Sequence, residues 1–396
     1  MNTKNKSLYK FYLPKSIKLS LIAISLILLI YSCGIVRTAK KMIRISSKKE
    51  VANYNSKQKF IYKNHGIYLP VIVDGVNDTL MFDTGASFEF VEGNSNEPNK
   101  DSCSVVFLKG HDGRHKVYTD IAPLSAENQL FKYKNYYISI FYQEKLPCET
   151  DSSLFMIGNL VYKNKVLTID FDNNEIGIFD TIASVSTKGF NIVKSHFSMI
   201  ASYVHIKING KEYKFLFDTG ADCSLLFPIK EYKSYASDGD IEYYGTNFVG
   251  ANGLIGKGFI YKKETIINDF FNEKLRLHNI SFVDGKKGCV AGINFISNYN
   301  WIIDSKNKVM YAQRRNIDDK VIDSIINNYT YRKYSVHFVK NKLTINLRKK
   351  NDGEKYPYKA VIKSVNGELI TDDNKCYYKK LLKTSNDWDT LNVVTE

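Results

Sequence analysis

Leu80-Met81-Phe82-Asp83-Thr84-Gly85-Ala86-Ser87 and Phe215-Leu216-Phe217-Asp218-Thr219-Gly220-Ala221-Asp222 are two copies of one short motif. Each is an apolar run that ends in Asp-Thr-Gly-Ala. A single Asp-Thr-Gly tripeptide is compatible with an ordinary turn. Two copies in matched surroundings point instead to an internal duplication. Asp74-Gly75 precedes the first copy and Asn209-Gly210 precedes the second, at the offset that separates the motifs themselves (209 − 74 = 218 − 83). Both dipeptides favour the positive φ angles of tight hairpin turns. Around them Leu69, Val71, Val73, Leu80 and Phe82 alternate with polar residues, as do Val204, Ile206, Ile208, Phe215 and Phe217. That period of two is the signature of half-buried strands.

The match resumes downstream. Phe155-Met156-Ile157-Gly158-Asn159-Leu160 precedes Val166–Asp170, and Val290-Ala291-Gly292-Ile293-Asn294-Phe295 precedes Trp301–Asp304. Gly158 and Gly292 keep almost the same offset as the two motifs. The repeat therefore spans residues 60–180 and 199–313, joined by a linker at 181–198. Each copy is far longer than a solenoid repeat of roughly 20–50 residues. Helical periodicity is scarce across it, and 28 Tyr and 23 Phe suit strands.

These motifs resemble the paired active-site loops of aspartic proteases, the pepsin and retropepsin group. The resemblance covers residues 60–313. It implies a mainly β protein, two tandem retropepsin-like acid-protease lobes forming a single-chain pseudo-dimer. It implies an aspartic endopeptidase whose catalytic carboxylates are Asp83 and Asp218. Thr84, Gly85, Ala86 and Ser87, with Thr219, Gly220, Ala221 and Asp222, would support the two loops. Thr84 and Thr219 would reach across to the opposite loop. Gly158 and Gly292 would pack behind the loops with their apolar strands. Candidate flaps carry Gly110 and Gly113 in the first lobe and Gly250 and Gly253 in the second. Two flaps follow the retropepsin plan, whereas pepsin uses one. The expected partner is a peptide or protein substrate, no cofactor is implied, and one chain forms the catalytic unit. A non-catalytic peptide-binding or envelope protein with the same fold is the competing reading. Intact carboxylates in both halves argue against it.

The N-terminus reads as a targeting segment. Leu19–Val36 is an unbroken stretch without a charge, and Lys4, Lys6, Lys10, Lys15 and Lys18 precede it. A basic region followed by an apolar core is the layout of an export signal. Ile30-Tyr31-Ser32-Cys33-Gly34 resembles a bacterial lipoprotein signal, with Cys33 as the lipidated residue. An uncleaved membrane helix is the alternative, since the stretch approaches the roughly 20 residues that span a bilayer. Residues 1–36 are thus a signal or anchor, 37–59 a polar tether, and the protein is expected outside the cytoplasm and attached to a membrane.

Other chemistry finds little support. The net charge is +15, from 56 basic and 41 acidic residues, but the lysines are scattered and no nucleic-acid-binding signature accompanies them. His111 and His115 lie in a glycine-broken loop rather than on a helix. Gly250–Gly258 lacks the spacing of a phosphate-binding loop. No Cys-x-x-Cys pair suggests a metal. Cys103 with Cys148, and Cys223 with Cys289, would each close a loop inside one lobe, and free buried thiols fit equally well. Residues 314–396 form a small α+β domain that weakly resembles a truncated PDZ domain. Strands are expected at Val336–Phe338, Leu343–Leu347, Ala360–Val365 and Thr390–Val394, with a short helix at Tyr377–Leu382.

Overall fold

A computed structural model describes residues 50–53, 55–63, 65–86, 90–92, 104–110, 113–122, 125–134, 137–141, 155–198, 201–245, 249–250, 253–254, 257–318, 320, 333–339, 341–350, 355–385 and 388–396. The signal segment with Cys33, Ser87, Cys103 and Cys148 lie outside these residues. Among the described residues no helix is long and apolar enough to cross a membrane. The chain is mainly β, and residues Glu50–Glu396 form one compact unit.

Each repeat opens with the hairpin its turn residues dictate. Gly66–Val73 pairs with Val76–Phe82, and Ser202–Ile208 pairs with Lys211–Phe217. Asp74 and Gly75 have φ of 47° and 84°, and Asn209 and Gly210 have 50° and 80°. Two consecutive positive φ angles make the tight turn whose twist matches the strands. The second strand of each hairpin ends at its Asp-Thr-Gly loop. A short strand then packs beside it in parallel: Phe155–Ile157 on Val76–Phe82, and Cys289–Ala291 on Lys211–Phe217. A helical turn follows in each copy, at Asn159–Tyr162 and at Ile293–Ile296.

The two copies meet in a six-stranded sheet. Its order is Asn191–Val193, Val309–Arg314, Tyr299–Asp304, Val166–Asp170, Glu175–Phe179, Ser56–Lys59. The central pair runs antiparallel, with Leu167 opposite Ile303, Thr168 opposite Ile302 and Ile169 opposite Trp301. In the repeat numbering Leu167 corresponds to Trp301 and Ile169 to Ile303. Exchanging the copies therefore maps this register onto itself, and a local two-fold axis passes between Thr168 and Ile302. The centre is dry: Trp301, Tyr299, Phe217 and Phe82 are fully buried. The Phe217 and Trp301 rings meet edge to face at 4.8 Å, a favoured aromatic geometry.

The linker does its bridging in two pieces. Asn191–Val193 joins the six-stranded sheet, and Ser195–Phe197 pairs with Ser202–Ile208 in the second copy's own sheet. Lys194 divides the extended segment 191–197 between the two sheets.

Cys223 and Cys289 do not pair; both are free thiols. Cys223 packs with Leu216, Tyr243 and Phe259, while Cys289 packs against a separate core group containing Phe215 and Phe227. The two thiols serve different cores, so of the two readings left open by the sequence, a 223–289 disulfide or free thiols, the free thiols hold.

The C-terminal residues form strands Tyr334–Val339, Lys342–Lys349, Ile362–Val365 and Val393–Thr395, and a helix Lys375–Thr384. The helix runs further in both directions than Tyr377–Leu382. Its buried Tyr378 and Leu382 are four apart and face Tyr334, Val336, Phe338, Trp388 and Val393. Asn366 and Gly367, with φ of 53° and 83°, turn Ile362–Val365 into Glu368–Leu369.

Candidate active site

Asp83 and Asp218 follow the last residue of their strands and meet at the junction of the copies. An ideal Cβ on Gly85 would lie 2.4 Å from the Asp218 carboxyl carbon. One on Gly220 would lie 2.5 Å from that of Asp83. Each loop's glycine thus seats the carboxylate of the opposite loop, and any side chain would displace it. Gly85 N–H donates to Asp83 Oδ1 at 2.7 Å, Ala86 N–H to the same oxygen at 3.2 Å, and Gly220 N–H to Asp218 Oδ1 at 3.0 Å.

Beneath the carboxylates the two threonines interlock. Thr84 Oγ1 donates to the Phe217 carbonyl at 2.9 Å and accepts from Thr219 N–H at 3.0 Å. Thr219 Oγ1 donates to the Phe82 carbonyl at 2.8 Å and accepts from Thr84 N–H at 3.0 Å. Both side chains are fully buried. Each bond contributes on the order of 1 kcal/mol net, but each partner would cost more if left unpaired in this dry site.

Gly158 and Gly292 stand behind the loops. A Cβ on Gly292 would lie 2.4 Å from the Cys223 carbonyl and 2.5 Å from the Ala221 carbonyl. Ala221 O accepts from Ile293 N–H at 2.9 Å, and in the first copy Ala86 O accepts from Asn159 N–H at 2.9 Å. The supports are the same in both halves.

Electrostatics follow from this proximity. Asp218 is buried, at 7% exposure, and Asp83 is half-buried. Burial pushes the Asp83 carboxyl well above the usual carboxylate range. The charge of Asp218 and a hydrogen bond with its side chain add to the rise, and the Gly85 and Ala86 N–H groups oppose it. Two like charges this close do not both ionise readily, so one proton is held by the pair. The site therefore offers an acid and a base side by side.

The hairpins at Gly110/Gly113 and Gly250/Gly253 both form. Ser104–Gly110 pairs with Gly113–Ala122, with Gly110 opposite Gly113. Val249–Gly250 pairs with Gly253–Leu254, with Gly250 opposite Gly253. Asp222 lies beside the second loop, where Asn294 Nδ2 donates to its Oδ1 at 3.3 Å.

Three residues near the junction escaped the sequence reading. His65, at φ 54°, brings its Nδ1 within 3.1 Å of Asn294 Oδ1 and 3.8 Å of Asp222 Oδ1, linking the two copies. Tyr162 and Ser202 are both buried, and neither hydroxyl makes a well-formed hydrogen bond. The Tyr162 ring packs on Phe82, 6.3 Å between centroids. By repeat numbering Tyr162 corresponds to Ile296 and Ser202 to Ile67. Aligning the halves residue by residue exposes this polar-for-apolar exchange.

A second cleft is lined by Lys274, Arg276, Arg314 and Arg315, and its three arginines are ion-paired. Arg276 pairs with Glu264, Arg314 with Asp269 and Arg315 with Asp172. Among the described residues no group of three His, Cys, Asp or Glu stands together as metal ligands. No protein-family model matches the chain, and no curated protein matches it in sequence.

Proposed function

We propose that the chain is an aspartic endopeptidase whose two copies act as retropepsin-like lobes of a single-chain pseudo-dimer. The observation that carries this reading is the reciprocal seating of Asp83 and Asp218, each against the other loop's glycine, over the Thr84–Thr219 interlock. A structural turn needs no such exchange between halves, and a binding protein needs no proton-sharing pair. In the proposed reaction a water held between the carboxyls loses a proton to the ionised one as it attacks the peptide carbonyl. The protonated carboxyl donates to the developing oxyanion. As the C–N bond breaks, the proton taken from water passes to the leaving nitrogen and the proton lent to the oxyanion returns to a carboxyl, so the dyad regains its single proton. The glycine-tipped hairpins would cover the peptide and exclude bulk water. Both carboxylates belong to one chain, so the active unit is a monomer, attached to a membrane through residues 1–36.

The test is cleavage of a peptide library by residues 50–396, with Asp83→Asn and Asp218→Asn as separate variants. Each is expected to remove cleavage by at least about a thousandfold, because the pair works as one unit. Full activity in either variant refutes the mechanism. No cleavage and no binding of a pepstatin-type inhibitor, from acid to neutral pH, refutes the enzyme reading.

A further inference from the structure

The second hairpin is held from outside. Its first strand, Ile241–Gly245, pairs on one edge with Gly258–Asn268, as a hairpin must. On its other edge it pairs with the C-terminal strand Lys342–Lys349, with Tyr243 opposite Lys349, Tyr244 opposite Arg348 and Gly245 opposite Leu347. The seam is close. Gly245 has φ of 78°, and a Cβ there would lie 2.0 Å from the Asn346 carbonyl oxygen and 2.5 Å from the Tyr358 ring. Lys350 N–H donates to the Glu242 carbonyl at 2.9 Å, and the two side chains form an ion pair. The Arg348 guanidinium and the Lys350 ammonium lie 5.1 and 5.0 Å from the centre of the Tyr244 ring, within cation–π range. Leu347, 2% exposed, enters the core group of Leu216, Cys223, Tyr243 and Phe259, two residues from Asp218.

Among the described residues the first copy shows no such arrangement. Its sheet runs in the equivalent order, and among the described strands Ser104–Gly110, the counterpart of Ile241–Gly245, is the last. The duplicated chain is thus asymmetric at its hairpins although it is symmetric at its carboxylates.

We propose that strand Lys342–Lys349 is a brace that fixes the second hairpin from its first strand, with Gly245 as its positioning residue. The C-terminal residues then belong to the substrate-binding unit instead of being an independent appendage. This rests on the endopeptidase reading for its consequence, though not for the seam itself. An added strand supplies a continuous ladder of backbone hydrogen bonds along an otherwise open edge, which restrains that edge.

The test uses the full chain in detergent. Gly245→Ala is compared with Gly285→Ala, whose φ of 75° imposes the same backbone strain but whose added Cβ meets nothing within 4 Å. Leu347→Ala weakens the seam from the other side. Amide exchange is read across residues 241–254, and KM and kcat are read on a cleaved peptide. Gly245→Ala and Leu347→Ala are expected to speed exchange at 241–245 by at least about tenfold and to raise KM about fivefold or more, with kcat within about twofold. Gly285→Ala is expected to do neither. Faster exchange with unchanged KM overturns the brace, and so does unchanged exchange in Gly245→Ala. If the wild-type chain cleaves no peptide, the endopeptidase reading fails separately. The brace is then decided by exchange alone: loss of protection extending from 241–245 into 249–254 upholds it, and loss confined to 241–245 overturns it.

Discussion

Replacing Thr84 by Val tests the interlock with little change of shape. Valine keeps the β-branch and the volume but removes the hydroxyl, so the cavity contribution is small. Two bonds vanish: the one donated to the Phe217 carbonyl at 2.9 Å and the one accepted from Thr219 N–H at 3.0 Å. The carbonyl and the N–H remain, in a site where Thr84 and Thr219 are both 0% exposed. Water has no room to replace the lost partner. Each buried orphan costs roughly 1–3 kcal/mol, so the loss should be about 2–6 kcal/mol. That exceeds the effect of most single substitutions, which centre near 1 kcal/mol. The assay is urea unfolding followed by tryptophan fluorescence in a Trp388→Phe background. Only Trp301 then reports, since the chain has two tryptophans. It is well placed, because its ring touches the ring of Phe217, whose carbonyl loses its donor. Thr181→Val, on an exposed residue, is the control and should stay within about 0.5 kcal/mol of wild type. A loss below about 0.5 kcal/mol in Thr84→Val would refute the claim that the threonines bind the halves together.

Gly220→Ala should reduce peptide cleavage at least about a hundredfold with little loss of folding, since its Cβ would meet the Asp83 carboxyl at 2.5 Å; parallel kinetics and thermal melts check this. Asp83→Asn should stabilise the fold at neutral pH and not at pH 3. The raised folded pKa means the native state keeps a proton that the unfolded chain releases, so wild-type stability is full below the unfolded value of 3.8 and declines as pH rises above it. Melts of both proteins from pH 3 to 7 should converge at the acid end. His337 behaves in the opposite sense: burial, then the charges of Lys379 and Lys383, lower its pKa from 6.5 to about 4. Its stabilising contribution is present above pH 6.5 and fades as pH falls toward 4, by about 1–3 kcal/mol. Trp388, in the core that holds the neighbouring Val336 and Phe338, should report that loss in wild type and not in His337→Gln.

The local elements were legible because local chemistry sets them. Asp74-Gly75 and Asn209-Gly210 specify two-residue turns through positive φ, and their strands alternate as strands must. The duplication made Asp83 and Asp218 stand out, and the same comparison located Gly158 and Gly292. What the pattern did not carry was the choice of partner across long separations. Periodicity makes Lys342–Lys349 a strand, but every strand edge offers the same row of N–H and C=O groups. That it pairs with Ile241–Gly245, far earlier in the chain, depends on the Gly245 backbone and the matching Leu347 contact. The choice between paired and free cysteines stayed open in the sequence for a related reason. Cys223 and Cys289 fall in one repeat, yet pack into different cores. The division of the linker at Lys194 likewise reflects two sheets competing for one extended segment.

The departures from symmetry follow from the fusion itself. In a homodimer every side chain near the two-fold axis appears twice, and a buried polar group must tolerate its own image. A fused chain is free of that constraint. Tyr162 and Ser202 place two buried hydroxyls on one side of the axis, where the other side has Ile296 and Ile67. His65 meets Asn294 and Asp222 across the junction, where the numbering sets Leu160 and Ser87 opposite. The C-terminal strand braces one hairpin. Yet the carboxylates, their glycines and the threonine interlock remain matched within a few tenths of an ångström. In the proposed enzyme, symmetry is kept where two carboxyls would share one proton and relaxed where a peptide, which has direction, would be held. A peptide chain presents different groups to the two halves, so an asymmetric surround over a symmetric dyad is the arrangement its chemistry favours.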